Sequence, residues 1–346
     1  MPLSLAIAGA GLIGRAHVER VRRSGDCRLA AIADPLPEAA AYAGALGVVH
    51  YAELEAMLAA ERLDGVIVAT PNIAHAPNAL ACIARGLPVL IEKPLAESLA
   101  NAERIVEAAE RAHVPVLVGH HRRHNPILKQ ARDVVRNGGI GRIATVSASA
   151  VFLKPDPYFD TAWRREPGGG PVLINLIHAI DDLRFLLGEI AEIRAIGSNA
   201  LRGFPVEDTA AAVLRFESGA LGTLVLSDAA AAPWSWELTS GENPSYPQQP
   251  EDCYLIAGTA GSLAVPSLRQ WRYRGERSWI APLTAERPDR PKADPLERQL
   301  AHFCQVIRGE ATPIIDGRDA FRTLAATLML QDGAVTSAGG RGDGNA

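Results

Sequence analysis

Two side chains that could take part in catalysis stand out in the sequence, one in each half of the chain. Lys93 lies in the segment Glu92-Lys93-Pro94, directly after a short apolar run, and Pro94 disfavours a helical conformation at the lysine. We therefore expect Lys93 at the end of a strand, where its ammonium group could stabilise a developing alkoxide. A solvated lysine at a strand–helix junction is the alternative interpretation.

His178 is the second candidate, and it follows the glycine triplet at 168–170 in a run with helical periodicity. Asn175, His178 and Asp182 are spaced i, i+3 and i+7, so a regular helix would align them on one side. A histidine aligned with an amide and a carboxylate could accept a proton in one fixed tautomer. A hydrogen-bonded structural histidine is the alternative, and catalysis requires His178 and Lys93 to converge.

A glycine-rich turn near the N-terminus predicts a dinucleotide site. The motif Gly9-Ala10-Gly11-Leu12-Ile13-Gly14 has the form G-x-G-x-x-G and stands between an apolar run and a helical stretch. Gly9 permits a tight turn, Gly11 lets the main chain approach a pyrophosphate, and Gly14 allows close helix–strand packing. Asp34 ends the next apolar run and could accept hydrogen bonds from ribose hydroxyls while repelling a 2′-phosphate. We therefore predict NAD as the cofactor, with NADP disfavoured.

Short apolar runs that alternate with helical stretches predict the architecture of the first 120 residues. Runs that are apolar throughout and separated by helices indicate a parallel sheet covered on both faces. The predicted strands are 3–8, 28–33, 65–69, 88–91 and 114–118, and the predicted helices are 14–24, 37–46, 54–60, 75–85 and 99–112. Thr70-Pro71-Asn72 would then lie just past a strand end, at the sheet edge where ligands bind.

The second part of the chain, from about residue 123, has a different pattern. Runs of β-branched and small residues separated by glycine-containing turns predict a mainly antiparallel sheet. These runs are 143–152, 192–198, 209–216, 221–226, 253–257 and 263–265, and helices are predicted at 127–136, 172–187, 296–308 and 317–334. The stretch 230–252, rich in proline and polar residues, predicts a long loop or lid.

The composition narrows the class of protein. With 35 lysine and arginine residues against 39 acidic ones, the net charge is −4, so the chain lacks the strong positive field that nucleic-acid binding as a principal function requires. The four cysteines, Cys27, Cys82, Cys253 and Cys304, are far apart and form no C-x-x-C, so they predict buried thiols in a reducing compartment. No apolar run approaches the length of a membrane span. We expect a cytoplasmic protein that binds neither membranes nor nucleic acids.

Several segments together resemble the Gfo/Idh/MocA oxidoreductase family, which includes glucose–fructose oxidoreductase and inositol dehydrogenase. They run in the family's order and are AIAGAGLIGRAH, AIADP, ATPNIAH, GLPVLIEKPLAESL, GHHRRHNP, WRREPGGGPVLINLIHAIDDLRFLLG and AGTAGSL. The resemblance implies an α/β protein with an N-terminal Rossmann domain, a doubly wound parallel sheet, at 1–122. It also implies a C-terminal α+β domain with an open, mainly antiparallel sheet at 123–346, whose last helix packs back on the first domain.

The resemblance also implies an activity, a site and an assembly. The activity is NAD(P)-dependent oxidation of a secondary alcohol on a sugar, cyclitol or related ring, with Lys93 and His178 as the catalytic residues. The positions that match dinucleotide contacts in the family are Gly9, Gly11, Leu12, Ile13, Gly14, Asp34, Thr70, Asn72, His75, Glu92 and Lys93. An uncovered sheet face in the second domain implies a homodimer or homotetramer.

One position departs from the pattern of many inositol-dehydrogenase-like members. They have an aspartate four residues before the histidine, where this chain has Ile174. Isoleucine can neither orient an imidazole nor bind a hydroxyl, which puts the usual polyol pose in doubt. Asn175, Asp181 and Asp182 are the candidates to replace it.

Further side chains could bind a substrate. Arg122 and Arg123, in the basic run at 120–124, could bind a carboxylate bidentately, or could belong to an interdomain salt-bridge cluster. In this family, Trp163 and Arg164 resemble a substrate-facing pair, and Trp163 could stack on a ring. With Asn175 and His178 they complete the predicted substrate site. The histidines of the basic run lack cysteine or carboxylate partners at ligand spacing, so we predict no metal site.

The predicted function is therefore a dehydrogenase acting on a cyclic secondary alcohol. Three alternatives stay open: a cis-dihydrodiol dehydrogenase of an aromatic acid, a non-catalytic NAD-binding sensor, and an NAD-dependent glycosidase.

Overall fold

The structure, a computed structural model, describes residues 1–338; residues 339–346, part of the predicted second domain, lie outside the described residues. The described chain forms two compact units, Met1–His124 with Asp294–Leu324, and Asn125–Ala293 with Ala325–Ala338. The predicted limits, 1–122 and 123–346, differ chiefly in the segment 294–324. That segment belongs to the first unit because side chains such as Phe303 lie against Gly65 at the start of a central strand of that unit.

The first unit contains a six-stranded sheet with every neighbouring pair parallel, in the order β3-β2-β1-β4-β5-β6. The strands are β1 Leu3–Ala8, β2 Cys27–Ala33, β3 Val49–Tyr51, β4 Gly65–Val68, β5 Val89–Ile91 and β6 Val116–Val118. The helices are α1 Leu12–Arg23, α2 Pro37–Ala45, α3 Leu54–Ala60, α4 His75–Ile83 and α5 Leu99–Ala112. The predicted doubly wound parallel sheet is confirmed.

Continuous apolar runs explain why this sheet is buried on both faces. Every residue of β4, β5 and β6 is buried, as parallel strands covered by helices require. The strand β3 was missed by the sequence analysis because Val49–Tyr51 is short, lies at the sheet edge and contains no buried residue. Because the strand order reverses between β1 and β4, their carboxyl ends flank the crevice in which such sheets bind ligands.

The second unit contains an eight-stranded sheet in the order β14-β13-β12-β11-β7-β10-β9-β8. Among the strands of residues 1–338, only β7 and β10 pair in parallel, so the predicted open, mainly antiparallel sheet is confirmed. The strands are β7 Ile143–Val151, β8 Ile190–Ser198, β9 Thr209–Phe216, β10 Leu221–Ser227, β11 Tyr254–Gly258, β12 Gly261–Val265, β13 Gln270–Arg272 and β14 Thr284–Glu286. Sequence analysis missed β13 and β14, which are three-residue strands with no buried residue.

The two faces of this sheet differ in burial. Residues alternate along β9 and β10, so that Leu214 and Leu224 are buried on one face. The opposite face exposes apolar side chains such as Ile196, Val213 and Val225. This exposed face is consistent with a homo-oligomer, which stays a prediction.

The helices of the second unit are α6 Pro126–Arg136, α7 Ile177–Leu187 and α8 Trp236–Thr239. Two further helices follow in the described part of the chain, α9 Pro295–Ile307 and α10 Gly317–Ala338. Within the described residues, no helix combines the length and the apolar character needed to cross a membrane.

The stretch 230–252 is anchored, and its prediction as a long loop or lid is wrong in part. It contains α8, and Trp236 is buried and stacks on Tyr254 with ring centroids 6.4 Å apart. The indole Nε1 of Trp236 donates to Glu242 Oε2 at 3.1 Å, and Asn125 Nδ2 donates to the same oxygen at 2.8 Å. Sequence analysis missed this helix because its four residues are surrounded by prolines and polar residues.

Candidate active site

The carboxyl ends of four neighbouring strands bring the predicted cofactor residues to one edge of the first sheet. In spatial order, β2 leads into Asp34, β1 leads into Gly9, β4 leads towards Thr70, and β5 leads into Glu92 and Lys93. Neighbouring strands are about 4.8 Å apart, so β2 and β5 span roughly 14 Å. A dinucleotide could therefore extend along this edge, with one end at Asp34 and the other at Lys93.

The glycine turn has space for a pyrophosphate. Gly9 has φ +95°, and a Cβ there would lie 2.4 Å from the Ala69 carbonyl oxygen; a Cβ at Gly14 would lie 2.0 Å from the Gly9 oxygen. A Cβ at Gly11 would instead meet no described atom within 4 Å. Within residues 1–338, no side chain caps α1 at Gly11, so the amide N–H groups of its first turn are available to an anion. The turn thus fits the pyrophosphate of a dinucleotide.

Asp34 connects the glycine turn to the end of β2. Its Oδ2 accepts a hydrogen bond from the Ala10 N–H at 2.7 Å, and its Oδ1 accepts one from the Leu36 N–H at 2.9 Å. A carboxylate has about four lone-pair positions, so both oxygens keep capacity for ribose hydroxyls. The fixed, mostly buried carboxylate is suited to distinguish a free 2′-hydroxyl from a 2′-phosphate.

Replacing Asp34 by alanine is expected to weaken NAD binding about thirtyfold, which corresponds to about 2 kcal/mol for lost hydrogen bonds to a charged group. The affinity for NADP should fall much less, because a repulsive charge is removed as well. Fluorescence titration of both dinucleotides measures this. Asp64→Ala is the matched control, because Asp64 Oδ2 also accepts a main-chain N–H at 2.7 Å, from Ser4, but before β4 begins. Equal losses for both dinucleotides in Asp34→Ala would contradict a role in selecting between them.

His75 joins the segment after β4 to the segment after β5. It is buried, and its Nδ1 lies 2.8 Å from the Pro94 carbonyl oxygen while its Nε2 lies 2.9 Å from the Thr70 carbonyl oxygen. Burial lowers the pKa of His75 by more than the two carbonyl contacts raise it. Both ring nitrogens therefore have protein partners, and the implied contact of this side chain with a dinucleotide stays a prediction. Asn72 lies in the short helical turn Asn72–Ala74 beside it.

Glu92 is buried directly before Lys93. Its Oε1 accepts a hydrogen bond from His17 Nε2 at 2.8 Å, and its Oε2 accepts the Lys93 N–H at 3.2 Å. Burial raises the pKa of Glu92. The hydrogen bond from His17 and the charges of His17, His121 and Lys93 together lower it by more, so the pKa of Glu92 lies below its usual value. Because this carboxylate is occupied by protein groups, the implied dinucleotide contact of Glu92 stays a prediction. Lys93 itself is half-buried.

His178 lies on α7 and is buried. The helix before it is not the regular α-helix that the sequence predicted, because Val172–Leu176 forms a π-helical turn. Such a turn changes the angular register and is frequent at functional sites, so the i, i+3, i+7 spacing does not give a simple alignment of Asn175 and Asp182 with His178. The predicted end of the helix at Gly188 is correct, with φ 96°.

The candidates to replace the missing aspartate have different environments. Asp182 is fully buried and accepts a hydrogen bond from the Tyr254 hydroxyl at 2.8 Å, which ties it to β11. The amide oxygen of Asn175 is buried in the π-helical turn and has no hydrogen-bond partner among the described residues. The Asn175 oxygen is therefore an acceptor still available to a hydroxyl.

The glycine triplet makes room for two neighbouring segments. A Cβ at Gly169 would lie 2.0 Å from the Trp163 carbonyl oxygen, and one at Gly170 would lie 2.3 Å from Glu207 Oε1. That Glu207 oxygen accepts the Val172 N–H at 3.0 Å, and burial raises the pKa of Glu207. The glycines thus allow close packing at the start of the segment that leads to His178.

Trp163 and Arg164 lie in the short helical turn Ala162–Arg165. The Trp163 side chain is half-exposed, as stacking on a ring would require. Arg164 is held by Tyr158, since its Nη1 donates to the Tyr158 carbonyl at 2.6 Å and its guanidinium lies 4.0 Å from the Tyr158 ring centroid.

The basic run at 120–124 is largely buried in the first unit. Arg123 forms an ion pair with Asp319 at 2.5 Å, which supports the salt-bridge interpretation for this residue, although within one unit rather than between two. Arg122 is also buried, and its predicted contact with a substrate carboxylate stays a prediction.

Within residues 1–338, no three histidine, cysteine, aspartate or glutamate side chains are grouped as a metal site requires. Lys93 and His178 belong to different units, so their convergence stays a prediction.

Comparison with known proteins identifies the family. Residues 3–120 match the family model described as "Oxidoreductase family, NAD-binding Rossmann fold" (GFO_IDH_MocA), and residues 128–264 match the GFO/IDH/MocA C-terminal domain. The chain belongs to the Gfo/Idh/MocA family. Its first unit is thus the NAD-binding Rossmann domain of an oxidoreductase family whose named members include an anhydro-sugar reductase and inositol dehydrogenases.

Individual members of the Gfo/Idh/MocA family match to different extents. The 1,5-anhydro-D-fructose reductase of Ensifer adhaerens is 31% identical over 339 residues, which cover 94% of this chain and 96% of the reductase. The rhizopine catabolism protein MocA of Rhizobium meliloti is 32% identical over 207 residues, which cover 58% of this chain but only 64% of MocA, less than two thirds. The solved WlbA dehydrogenase of Bordetella pertussis, in complex with NADH and UDP-GlcNAcA, is 25% identical with a TM-score of 0.77, covering 98% of this chain and 97% of that one.

Proposed function

We propose that this protein is a dehydrogenase that oxidises a secondary alcohol on a sugar or cyclitol ring. The observation that supports this best is the arrangement along one sheet edge of an open glycine turn, the fixed Asp34 carboxylate and Lys93. When bound, NAD supplies the hydride acceptor at its nicotinamide ring.

Each chemical role is assigned to a side chain of this chain. His178 accepts the proton of the substrate hydroxyl as a general base. Lys93 stabilises the negative charge that develops on the substrate oxygen as the hydride leaves the carbinol carbon. The amide groups at the start of α1 bind the pyrophosphate, and Asp34 binds the ribose, which orients the dinucleotide along the sheet edge.

The substrate class rests on the family and on the second unit. The named relatives are a 1,5-anhydro-D-fructose reductase, a rhizopine catabolism protein, and a dehydrogenase solved in complex with UDP-GlcNAcA. Half-exposed Trp163 and the available oxygen of Asn175 suit a hydroxylated ring, which needs both an apolar face and a hydrogen-bond acceptor.

The test is a survey of polyols, sugars, nucleotide sugars and cyclic diols with NAD, following NADH by its near-ultraviolet absorbance. We expect NADH formation with at least one cyclic alcohol. Release of free sugar without NADH would favour a glycosidase, turnover of aromatic dihydrodiols alone would favour a dihydrodiol dehydrogenase, and NAD binding without any turnover would favour a sensor.

His178→Asn is expected to lower kcat about a hundredfold, because general-base catalysis contributes two to four orders of magnitude. It should also remove the acid limb of the pH profile of kcat, since that limb requires a deprotonated imidazole. His113→Asn is the control, because His113 is an exposed residue at the end of α5 and should leave both quantities unchanged. An intact acid limb in His178→Asn would assign the base to another residue.

A further inference from the structure

His17 and Glu92 form a buried pair to which the proposed reaction assigns no role. His17 lies on α1 and Glu92 directly after β5; His17 Nε2 and Glu92 Oε1 are 2.8 Å apart, and both side chains are almost fully shielded from solvent. Buried charged groups are stable only when they are paired and hydrogen-bonded, and breaking such a pair is costly. The pair therefore joins two elements firmly: the helix that begins at the glycine turn and the strand that ends at Lys93.

The fold also makes space for this carboxylate. A Cβ at Gly119, just after β6, would lie 2.9 Å from the Cδ and the Oε2 of Glu92, so only glycine fits there. The Glu92 Oε2 accepts the main-chain N–H of Lys93 at 3.2 Å. His17 thus holds one oxygen of the carboxylate, and the other oxygen holds the main chain of the lysine.

We propose that His17 and Glu92 are a positioning pair for Lys93: His17 holds a buried carboxylate in place by a hydrogen bond, and the carboxylate orients Lys93 and keeps its side chain an ammonium. This inference rests on the role proposed above for Lys93. It adds two residues that act on the reaction only through the lysine.

The charges around Glu92 determine in which direction the pKa of Lys93 should change when Glu92 is replaced. His17 faces Glu92 from α1, His75 from α4, His121 from the turn after β6, and Lys93 from its own segment. The attraction between Glu92 and Lys93 is reciprocal, so a lysine that favours the carboxylate form is itself favoured as the ammonium. Removing the charge of Glu92 must therefore lower the pKa of Lys93.

The first test measures Lys93 without any turnover. The chain has four lysines, Lys93, Lys129, Lys154 and Lys292, so reductive methylation with isotope-labelled formaldehyde gives a simple NMR spectrum that Lys93→Arg assigns. Glu92→Gln should lower the pKa of Lys93 by about one unit, a tenfold change in its proton affinity. The exposed Lys292 is the internal reference. A Lys93 titration unchanged in Glu92→Gln would overturn the proposal.

The second test follows His17 through the same NMR titration of Lys93. In His17→Leu, burial without the hydrogen bond should raise the pKa of Glu92, so the pH at which the labelled Lys93 signal responds to protonation of this carboxylate should rise by about one unit. His17→Gln should restore the wild-type response, because its amide can donate to the same oxygen. A purely structural His17 would change kcat or thermal stability without moving this response, and that result would overturn the proposal.

Glu189→Gln is the matched control for both tests. It breaks the Arg184–Glu189 ion pair, at 2.7 Å, in the other unit, and should leave both the Lys93 titration and its response to Glu92 unchanged. A similar effect in this variant would overturn the specific coupling. The failures are distinguishable: a wild-type protein without dehydrogenase activity would refute the proposed function, whereas the NMR titration tests the His17–Glu92–Lys93 coupling independently.

Discussion

Replacing Lys93 by methionine is expected to lower kcat about a thousandfold while the Kd of NAD changes by no more than about fivefold. The ammonium group would stabilise the transition state much more than the ground state, because the substrate oxygen becomes negative only in the transition state. Removing one such donor lowers kcat by two to three orders of magnitude. Methionine preserves most of the volume of the lysine side chain. Stopped-flow turnover and NAD titration measure the two quantities.

Lys292→Met provides the control for the Lys93 variant, because it removes the same charge from an exposed position. It should leave kcat unchanged. If Lys93→Met lost less than tenfold in kcat, the lysine would be the solvated residue of the alternative interpretation. If it lost NAD affinity and kcat in equal measure, its principal role would be to bind the dinucleotide.

The first sheet was predicted well because most of its strands and helices can be recognised from the pattern of neighbouring residues alone. Strands such as β1, Leu3–Ala8, are apolar runs long enough to be recognised, and helices α3 and α5 were predicted with the observed limits. Edge strands were missed because an edge strand need not be apolar: β3, β13 and β14 have three residues each and contain no buried residue. The parallel pairing of β7 with β10 was not predictable either, since it joins segments that are distant in sequence.

The candidate site was predictable as a set of residues, but their partners were not. Asp34 and Glu92 were both expected to face a dinucleotide, and the structure gives their carboxylates protein partners that no motif specifies. His17 was missed, although a signal exists: it lies within the buried stripe of α1, with Gly14, Val18 and Val21. A polar residue in an otherwise apolar stripe must find a buried partner, and only the folded chain shows that the partner is Glu92.

Gly9 lies close to the main chain of a neighbouring segment, whereas Gly11 borders open space. Substitution by alanine should therefore change stability at Gly9 and cofactor binding at Gly11. Gly9→Ala is expected to destabilise the protein by about 3 kcal/mol, because it combines a left-handed φ of +95° with a Cβ only 2.4 Å from a carbonyl oxygen of the main chain. For a unit of this size, that change lowers Tm by roughly 10 °C. Differential scanning calorimetry measures it.

Gly11→Ala should weaken NAD binding and leave the thermal stability almost unchanged. Gly11 has φ −71°, which alanine adopts readily, and its Cβ would meet no described atom within 4 Å, so Tm should change by no more than about 2 °C. The same methyl group would occupy the space through which a pyrophosphate approaches the main chain, so the Kd of NAD should rise at least about tenfold. Calorimetric titration of both variants with NAD, at a temperature where Gly9→Ala is folded, completes the comparison. Wild-type affinity in Gly11→Ala would show that the pyrophosphate does not approach this turn, and the cofactor would then have to bind elsewhere along the sheet edge.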